Sequence, residues 1–407
     1  MRLNLLLSLP LLFAVPASAQ DIVSPADRLL HEQMLTLDSH LDTPVLFERP
    51  GWDFDEWHNV FWDGSQVDIP RMEVSGLDGG FFVIYTGQGP LTSEGYAAAR
   101  ERALLRAAAI QRVVAANGDK LAFATTADDA ERLHREGKRI VYQAIENSYP
   151  LGTDVSLLST FYRMGVRMAG PVHNGSNQFA DSARPRPGDP VHKGLSALGR
   201  RWVAEMNRLG MVIDGSHSSD TAIEQMIALS KTPIVLSHHG PKAMFDHPRN
   251  IDDALMRRLA RSGGVMQMNT LFLVKTDSSE ARDAIEERQK NWETLSAAER
   301  RQLVADRTAV YAREPFAFAD FDTFMRSLLH AVRVMGVDHV GIGADWDGGG
   351  GLTDMPDITL LPRITARLRR EGFSDADIEK IWSGNVLRLL RQAEAHAQRS
   401  SASPSGS

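Results

Sequence analysis

Short apolar runs alternate with helical patterns along most of the chain. Eight runs that end in glycine or polar residues cover residues 34–37, 80–85, 140–145, 166–172, 211–213, 233–236, 265–268 and 339–342. Helical patterns separate most of them, at residues 94–116, 195–209, 220–230 and 252–261. Continuous apolar strands that alternate with helices are typical of a parallel sheet covered on both faces. Eight such units predict an α/β fold, a closed (β/α)8 TIM-like barrel.

The alternative topology is an open, doubly wound sheet. That fold places a glycine-rich phosphate-binding turn after its first strand. Residues 38–42, which follow the first apolar run, read Asp-Ser-His-Leu-Asp and contain no glycine. The sequence therefore favours the barrel.

Two segments fall outside this alternation. Residues 275–314 are densely charged, with helical spacing and little apolar content, and predict a charged helical insertion after the seventh strand, at the rim or as a lid. Residues 400–407 are rich in serine, with proline and glycine, and we expect a disordered tail over residues 396–407. The barrel domain is then assigned to residues 20–395.

The N-terminus has the pattern of a secretory signal peptide. Arg2 precedes an apolar run over residues 5–15, and the Ala-Ser-Ala at 17–19 fits cleavage before Gln20. An apolar run of this length is too short to span a bilayer. We expect residues 1–19 to be removed, and the mature protein to be periplasmic or extracellular without a membrane anchor.

Composition narrows the partners and the kind of site. The formal net charge is −7 and basic residues form no blocks, which argues against nucleic acid and anionic membranes as partners. The sequence has no cysteine, so disulfides are excluded and a metal site would have to use histidine, aspartate and glutamate. With 43% hydrophobic residues, the chain can build its stability on a core.

Candidate chemistry follows the predicted strands. The carboxyl ends of the strands carry the active site in a barrel of this kind. Six of the eight predicted strand ends carry histidines or carboxylates, namely His40 and Asp42, Glu146, His173, His217, His238 and His239, and Asp345 and Asp347. Any one of these histidines would ordinarily be a core or surface residue. Their joint arrangement predicts a metal site.

The spacing gives these residues chemical roles. Residues i and i+2 of an extended segment point the same way, so His40 and Asp42 can reach one cation. Glu146 has two oxygens and could bridge two cations, whereas a salt bridge to an arginine is the alternative for a lone buried carboxylate. His217 and His238 would complete the second ligand set.

Such a pair of cations would make the site hydrolytic. Two divalent cations that share a carboxylate and a water generate hydroxide near neutral pH and polarise a carbonyl. Imidazole and carboxylate ligands suit zinc, although manganese or cobalt could bind the same set. Asp345 is placed to take the water's proton and pass it to a leaving amine. Asp347 is the better candidate for a structural role in the loop.

Several segments, in one uninterrupted order, resemble the renal (membrane) dipeptidases, zinc enzymes related to the amidohydrolases. Residues 38–42 resemble that family's Asp-x-His-x-Asp opening. Further matches, over roughly residues 35–390, are 212–217 to Ile-Asp-Leu-x-His, 233–238 to Pro-x-x-x-Ser-His, 249–250 to Arg-Asn, and 343–348 to Gly-x-Asp-Phe-Asp-Gly. After the seventh strand the chain departs from the family's Asn-Phe-Tyr and reads Asn-Thr-Leu at 269–271, so side-chain preference stays open.

The resemblance implies a role for each matching residue. The set His40, Asp42 and Glu146 would hold one zinc, and the set Glu146, His217 and His238 the other. His173 matches the histidine that contacts the scissile carbonyl. Arg249 matches the arginine that binds the substrate's carboxylate, and a planar guanidinium can do so bidentately. The implied substrate is a dipeptide, and a homodimer is suggested by analogy.

Two other functions use similar residues. A different binuclear amidohydrolase would act on cyclic amides or N-acyl amino acids, but many of those enzymes bridge their metals with a carboxylated lysine on a middle strand. Here Glu146 ends the third predicted strand and the fourth contains no lysine. An exported metal- or peptide-binding protein without catalysis would use the same ligands, but it would not need Asp345.

Overall fold

The computed structural model describes residues 22–60, 63–275, 279–290, 295–314 and 318–402. The predicted signal peptide lies outside the described residues. The strands are β1 Leu37–Leu41, β2 Gly79–Tyr85, β3 Leu121–Phe123, β4 Arg139–Glu146, β5 Val166–Ala169, β6 Val212–Ile213, β7 Val235–Pro241, β8 Asn250–Ile251, β9 Val265–Met268 and β10 Val340–Ile342. The helices are α1 Pro25–Gln33, α2 Ile69–Ser75, α3 Ser93–Ala116, α4 Ala127–Arg135, α5 Leu158–Arg163, α6 Ala197–Leu209, α7 Asp220–Leu229, α8 Asp253–Arg261, α9 Glu280–Lys290, α10 Ala297–Arg313, α11 Phe321–Met335, α12 Pro362–Arg370, α13 Asp375–Glu379 and α14 Asn385–Ala402.

Eight of these strands form a closed parallel barrel. One sheet has the order β1-β2-β4-β5-β6 and the other β10-β9-β7, with every ladder parallel. A single bridge closes each of the two seams between the sheets. Gly215 N donates to Val235 O at 2.8 Å between β6 and β7, and Asp42 N donates to Trp346 O at 2.9 Å between β1 and β10. The predicted (β/α)8 fold is confirmed.

Two strands continue several residues beyond their apolar runs, while β5 ends at Ala169, three residues before the end of its run at 166–172. The first run was predicted at residues 34–37, but β1 begins at Leu37 and continues through Asp38, Ser39 and His40, all of them buried. β7 likewise continues through Ser237 and two histidines. These polar side chains are buried and hydrogen-bonded, so a hydrophobic criterion does not detect them. The short strands β3 and β8, which pair with β4 and β7, were not predicted either.

Helices cover the outside of the barrel through apolar stripes. In α11 the buried residues recur every three or four positions, at Phe324, Leu328, Ala331 and Met335. This spacing places them on one face, which packs against β7 and β10. Burial of each large apolar side chain stabilises the fold by roughly 1.5–3 kcal/mol. Asp320 caps the helix by accepting from Thr323 N at 2.8 Å.

The charged insertion forms two helices after the seventh barrel strand, as predicted. α9 and α10 have a small core of their own, built on Ile285, Leu303 and Val310. Arg288 pairs with Asp306 across the two helices at 2.7 Å. That the insertion lies at the rim or acts as a lid stays a prediction.

The predicted C-terminal tail begins too early. α14 continues through Ala402, so residues 396–402 are helical, and residues 403–407 lie outside the described residues. The backbone groups of this segment form hydrogen bonds within the helix, and small residues such as alanine and serine do not prevent this. Within the described ranges, no helix combines the length and hydropathy needed to cross a bilayer.

Candidate metal centre and active site

Glu146, the last residue of β4, lies where three imidazoles from other strands converge. Its Oε1 is 2.9 Å from His217 Nε2, 3.5 Å from His238 Nε2 and 3.6 Å from His40 Nε2. His40 belongs to β1, His238 to β7, and His217 follows β6. All four side chains are buried. The barrel thus brings residues that are far apart in sequence to one carboxylate.

Three groups of side chains have the geometry of a metal site; two of them share Glu146, and the third combines Asp214 with His40 and His238. His40, Asp42 and Glu146 form the first of these groups, and Glu146, His217 and His238 form the second, with ligand atoms within 4.8 Å of one another in each. His40 Nε2 and Asp42 Oδ2 are 3.4 Å apart. The two groups that share Glu146 are the ligand sets predicted from the sequence. Metal binding by them stays a prediction.

The electrostatics of the cluster favour a cation. Burial lowers the pKa of His40, but the charges of Glu146 and Asp42 outweigh it and raise that pKa well above its ordinary value. Two buried atoms that face the cluster, His40 Nε2 and Asp42 Oδ1, have no hydrogen-bond partner among the described residues. Buried polar atoms are rarely left unsatisfied. Nitrogen and oxygen ligands of this kind fit zinc, and also manganese or cobalt.

The other two histidines are suited to neutral ligation. Burial lowers the pKa of His217 and of His238 well below 6.5. The charge of Arg249 adds to this for His217, and the charges of His40 and Arg249 add to it for His238. A neutral imidazole offers a lone pair, which the protonated form cannot. Their Nε2 atoms are 2.8 Å apart, so one ion can contact both.

Asp345 lies beside the cluster in the loop after β10. Its Oδ1 is 4.0 Å from His40 Nε2. Burial raises its pKa to about 8; His40 opposes this, while Asp42 and Glu146 add to it. The sequence predicts an ionised Asp345 beside two cations. Among the protein's own groups alone, the protonated form is favoured, and cations nearby would reverse this.

The loop that carries Asp345 requires a glycine at 348. A Cβ there would lie 2.1 Å from Asp42 Oδ2 and 2.2 Å from Asp345 Oδ1. Asp347, predicted to be structural, is held in this loop by Gln66 N and Thr43 Oγ1, each of which donates to it at 2.6 Å. The lack of a side chain at 348 keeps the two carboxylates close to each other.

The backbone is strained around the cluster. His217, Asp345 and Asp347 have φ values of 64°, 67° and 63°, in the left-handed region, and so does Asn147 at 71°, next to Glu146. A residue other than glycine pays of order 1–3 kcal/mol for such a conformation, which persists only where its surroundings enforce it. Such strain is concentrated at functional sites.

His173 borders the cluster on the side that opens to solvent. Its Nε2 is 4.0 Å from Glu146 Oε1, and its ring centroid is 4.1 Å from that of His217. One fifth of the side chain is exposed, whereas the predicted ligands are buried. A molecule that enters the site would therefore meet His173 beside the predicted metals.

Arg249, immediately before β8, is fully buried near the cluster. Its NH2 donates to His238 O at 3.2 Å, and NH1 lies 3.2 Å from His239 Nδ1. No carboxylate in the described ranges lies within ion-pair distance of it. Burial lowers its pKa to about 10, so it stays charged at neutral pH. A buried cation without an anionic partner is suited to binding an anionic ligand group.

Sequence reasoning missed several residues of the site. Asp38 accepts from His40 N at 2.9 Å and from Ala344 N at 3.0 Å, which ties β1 to the loop of Asp345. Phe272 lies 5.5 Å from the Arg249 guanidinium. Ser237 Oγ contacts the ring of His238 and donates to Asp214. The available signal was a polar residue inside a motif or next to it.

The fold and the site together define a class. A closed parallel barrel with a buried cluster of histidines and carboxylates at its strand ends is a metallohydrolase barrel. The chain belongs to the membrane dipeptidase family, peptidase family M19, whose family model matches residues 25–404. It is a dipeptidase of the metallopeptidase class, as the sequence predicted.

Individual relatives agree with this membership. The chain is similar to the dipeptidase tcpJ of Claviceps purpurea, with 27% identity over 402 residues that cover 97% of this chain and 84% of the relative. The dipeptidase ataJ of Aspergillus terreus is 27% identical over 363 residues, 83% of this chain and 79% of its own length. Among solved structures, the probable dipeptidase PvdM of Pseudomonas aeruginosa is 30% identical with a TM-score of 0.78, over 91% of this chain and 98% of its own.

Proposed function

We propose that this enzyme hydrolyses dipeptides with two divalent ions, zinc in the first place, bridged by Glu146. The observation that carries the proposal is the position of Glu146 Oε1 between imidazoles of both ligand sets, 2.9 Å from His217 and 3.6 Å from His40. His40 and Asp42 would hold one ion, and His217 and His238 the other. Manganese or cobalt would fit the same donors.

The bound ions would supply an activated water and polarisation of the scissile carbonyl. The chain's own residues would do the rest. Asp345, 4.0 Å from His40 Nε2, would accept the proton of the attacking water at Oδ1 and deliver it to the leaving amine. His173 would donate a hydrogen bond from its ring to the carbonyl oxygen.

Arg249 would set the substrate's length. Its buried guanidinium lies next to the backbone of His238, a predicted ligand. If the guanidinium pairs with the α-carboxylate of a substrate, the scissile carbonyl can reach the cluster only in a substrate that has a single residue after that carbonyl. This geometry favours dipeptides with a free C-terminus.

We further infer that the protein is exported. The support is the N-terminal pattern, with Arg2 before an apolar run and Ala-Ser-Ala at 17–19. The function does not depend on this inference.

Metal analysis of the purified, active enzyme tests the bridging role. We expect two ions per chain and loss of dipeptide hydrolysis on chelation. The substitution Glu146→Gln should release both ions, because this residue alone serves both sets. Glu394→Gln, which alters a glutamate of α14 that accepts from Ala127 N of α4, should retain them. One ion in the active enzyme, or two in Glu146→Gln, would contradict the proposal.

A further inference from the structure

Behind the predicted ligands lies a buried serine that contacts two of their imidazole rings. Ser237 Oγ is 2.9 Å from Nδ1 of His238 and 3.4 Å from Nδ1 of His40. The same hydroxyl donates to Asp214 Oδ2 at 2.5 Å. All four residues are buried. One hydroxyl thus connects an aspartate to a histidine of each ligand set.

The direction of these hydrogen bonds follows from the number of protons available. A hydroxyl has one proton, and an ionised carboxylate can only accept. The Ser237 proton therefore goes to Asp214, and the Ser237 oxygen can only accept from the histidines. Both rings must then carry their proton on Nδ1. This leaves the Nε2 lone pair of each ring directed at Glu146.

Asp214 itself is not placed as a ligand. Its carboxylate lies within 4.8 Å of ligand atoms of His40 and His238. However, Oδ1 already accepts from Ser216 N at 2.9 Å and from Ser237 N at 3.0 Å, and Oδ2 accepts the serine hydroxyl. Both oxygens are engaged, and Ser237 connects the aspartate to the rings.

We propose that Ser237 and Asp214 are positioning residues that fix the Nδ1–H tautomer of His40 and His238, and so direct Nε2 of each ring to a different metal ion. Partners of this kind orient a ring and raise its basicity as a ligand. The unusual feature is that a single hydroxyl serves both ions. The inference rests on the proposed two-metal function.

Two variants separate this role from a general loss of packing. Ser237→Ala removes the acceptor, and zinc affinity should fall roughly 10–100-fold at both sites. Asp214→Asn should weaken binding more. Its amide would donate to Ser237 Oγ, and the single serine proton would turn to the nearer ring, that of His238. This ring would then carry its proton on Nε2, where it blocks the metal.

Ser39→Ala is the matched control. Ser39 is equally buried and adjacent to His40, but its hydroxyl donates to the backbone oxygen of Ser237 at 2.6 Å and contacts no ligand ring. Zinc affinity of the full-length protein would be measured by competition with a chromophoric chelator. We expect the affinity of Ser39→Ala to match the wild type, that of Ser237→Ala to be lower, and that of Asp214→Asn to be lowest.

Nitrogen-15 spectra of histidine in the zinc-loaded wild-type protein give an independent readout, which decides the matter even if a variant does not fold. Exchange-protected Nδ1–H signals are expected for His40 and His238. Their absence, or variants that bind zinc like Ser39→Ala, would overturn the inference while the two-metal function stood. Loss of one whole ion in Asp214→Asn with unchanged ring signals would make Asp214 a ligand. A wild-type chain with fewer than two ions would overturn both proposals.

Discussion

Asp345, the proposed proton carrier, lies farther from His40 than the proposed ligand Asp42 does. It is 4.0 Å from His40 Nε2, farther than Asp42 at 3.4 Å. We predict that Asp345→Asn keeps its metal content and lowers kcat roughly 10²–10⁴-fold, because the amide cannot take up the proton. Asp347→Asn is the control, since that carboxylate is held by Gln66 and Thr43, and its kcat should stay near the wild-type value. Loss of an ion from Asp345→Asn would make Asp345 a ligand.

Arg249 provides a test of substrate length. We predict that Arg249→Ala lowers kcat/KM for a free-acid dipeptide by roughly 100–1000-fold, because a buried charge pair with the substrate carboxylate is lost. The same substitution should change little for the C-terminally amidated dipeptide, which the wild type should cleave poorly. Paired measurements of kcat/KM on the two substrates check this. Equal losses on both would show that Arg249 only supports the backbone of His238.

At the residue scale, the sequence indicates the predicted metal ligands more readily than the residues that contact and orient them. His40, Glu146 and His238 are found because barrels collect polar residues at strand ends. The sequence does not indicate the roles of Ser237 and Asp214, because a single serine or aspartate in a buried segment gives no periodic signal and its hydrogen-bond partners are known only from the structure. Phe272 beside Arg249 depends on a loop conformation that periodicity does not describe.

At the scale of elements, the packing of α1 against α12 buries a titratable side chain. His31 Nδ1 lies 2.7 Å from Thr365 Oγ1, and the ring meets the edge of Trp382 at 5.0 Å. Burial lowers the pKa of His31 to about 4, although a hydrogen bond with the Ser75 backbone opposes it. The ring is therefore neutral in the folded protein at neutral pH.

This depressed pKa predicts a pH dependence of stability. Between pH 6.5 and about 4 the unfolded chain binds a proton at His31 that the folded chain does not, so the free energy of unfolding decreases as the pH falls through this window. The loss attributable to His31 approaches about 3 kcal/mol at its lower end. Denaturant unfolding of the wild type and of His31→Gln across this range measures it. The stability difference between the two should shift in favour of the variant at low pH, and a constant difference would contradict the prediction.

The bounds of apolar strands and of amphipathic helices were predicted well, whereas those of strands that contain buried polar residues were predicted less well. The run at 265–268 coincides with β9, and α3, α7 and α8 match their helical patterns to within a residue at either end. The predicted position of β1 was wrong because residues 38–40, which are inside the strand, are polar. The end of α14 was missed because residues 398–401 are exposed, so no apolar period marks the last turn of the helix.

At the scale of the whole molecule, the eightfold alternation was sufficient to predict the barrel, and the density of charge over residues 275–314 predicted the insertion. The alternation could not indicate how the barrel closes. Each seam is one bridge, at Asp214–Val235 and at Leu41–Trp346, and a single hydrogen-bonded pair leaves no period in the sequence. Closure depends on the curvature of the whole sheet, which no local pattern records.

The seams have a consequence for partial unfolding. His40 and Glu146 lie in strands of one sheet and His217 follows its last strand, whereas His238 lies in the other sheet and Asp345 follows β10 of that sheet. Local opening is easiest where few backbone hydrogen bonds hold two elements together. Separation at either seam would move the members of the cluster apart while the helices and most ladders remained intact. Hydrolytic activity is thus a more sensitive gauge of barrel opening than any spectroscopic measure of helix content.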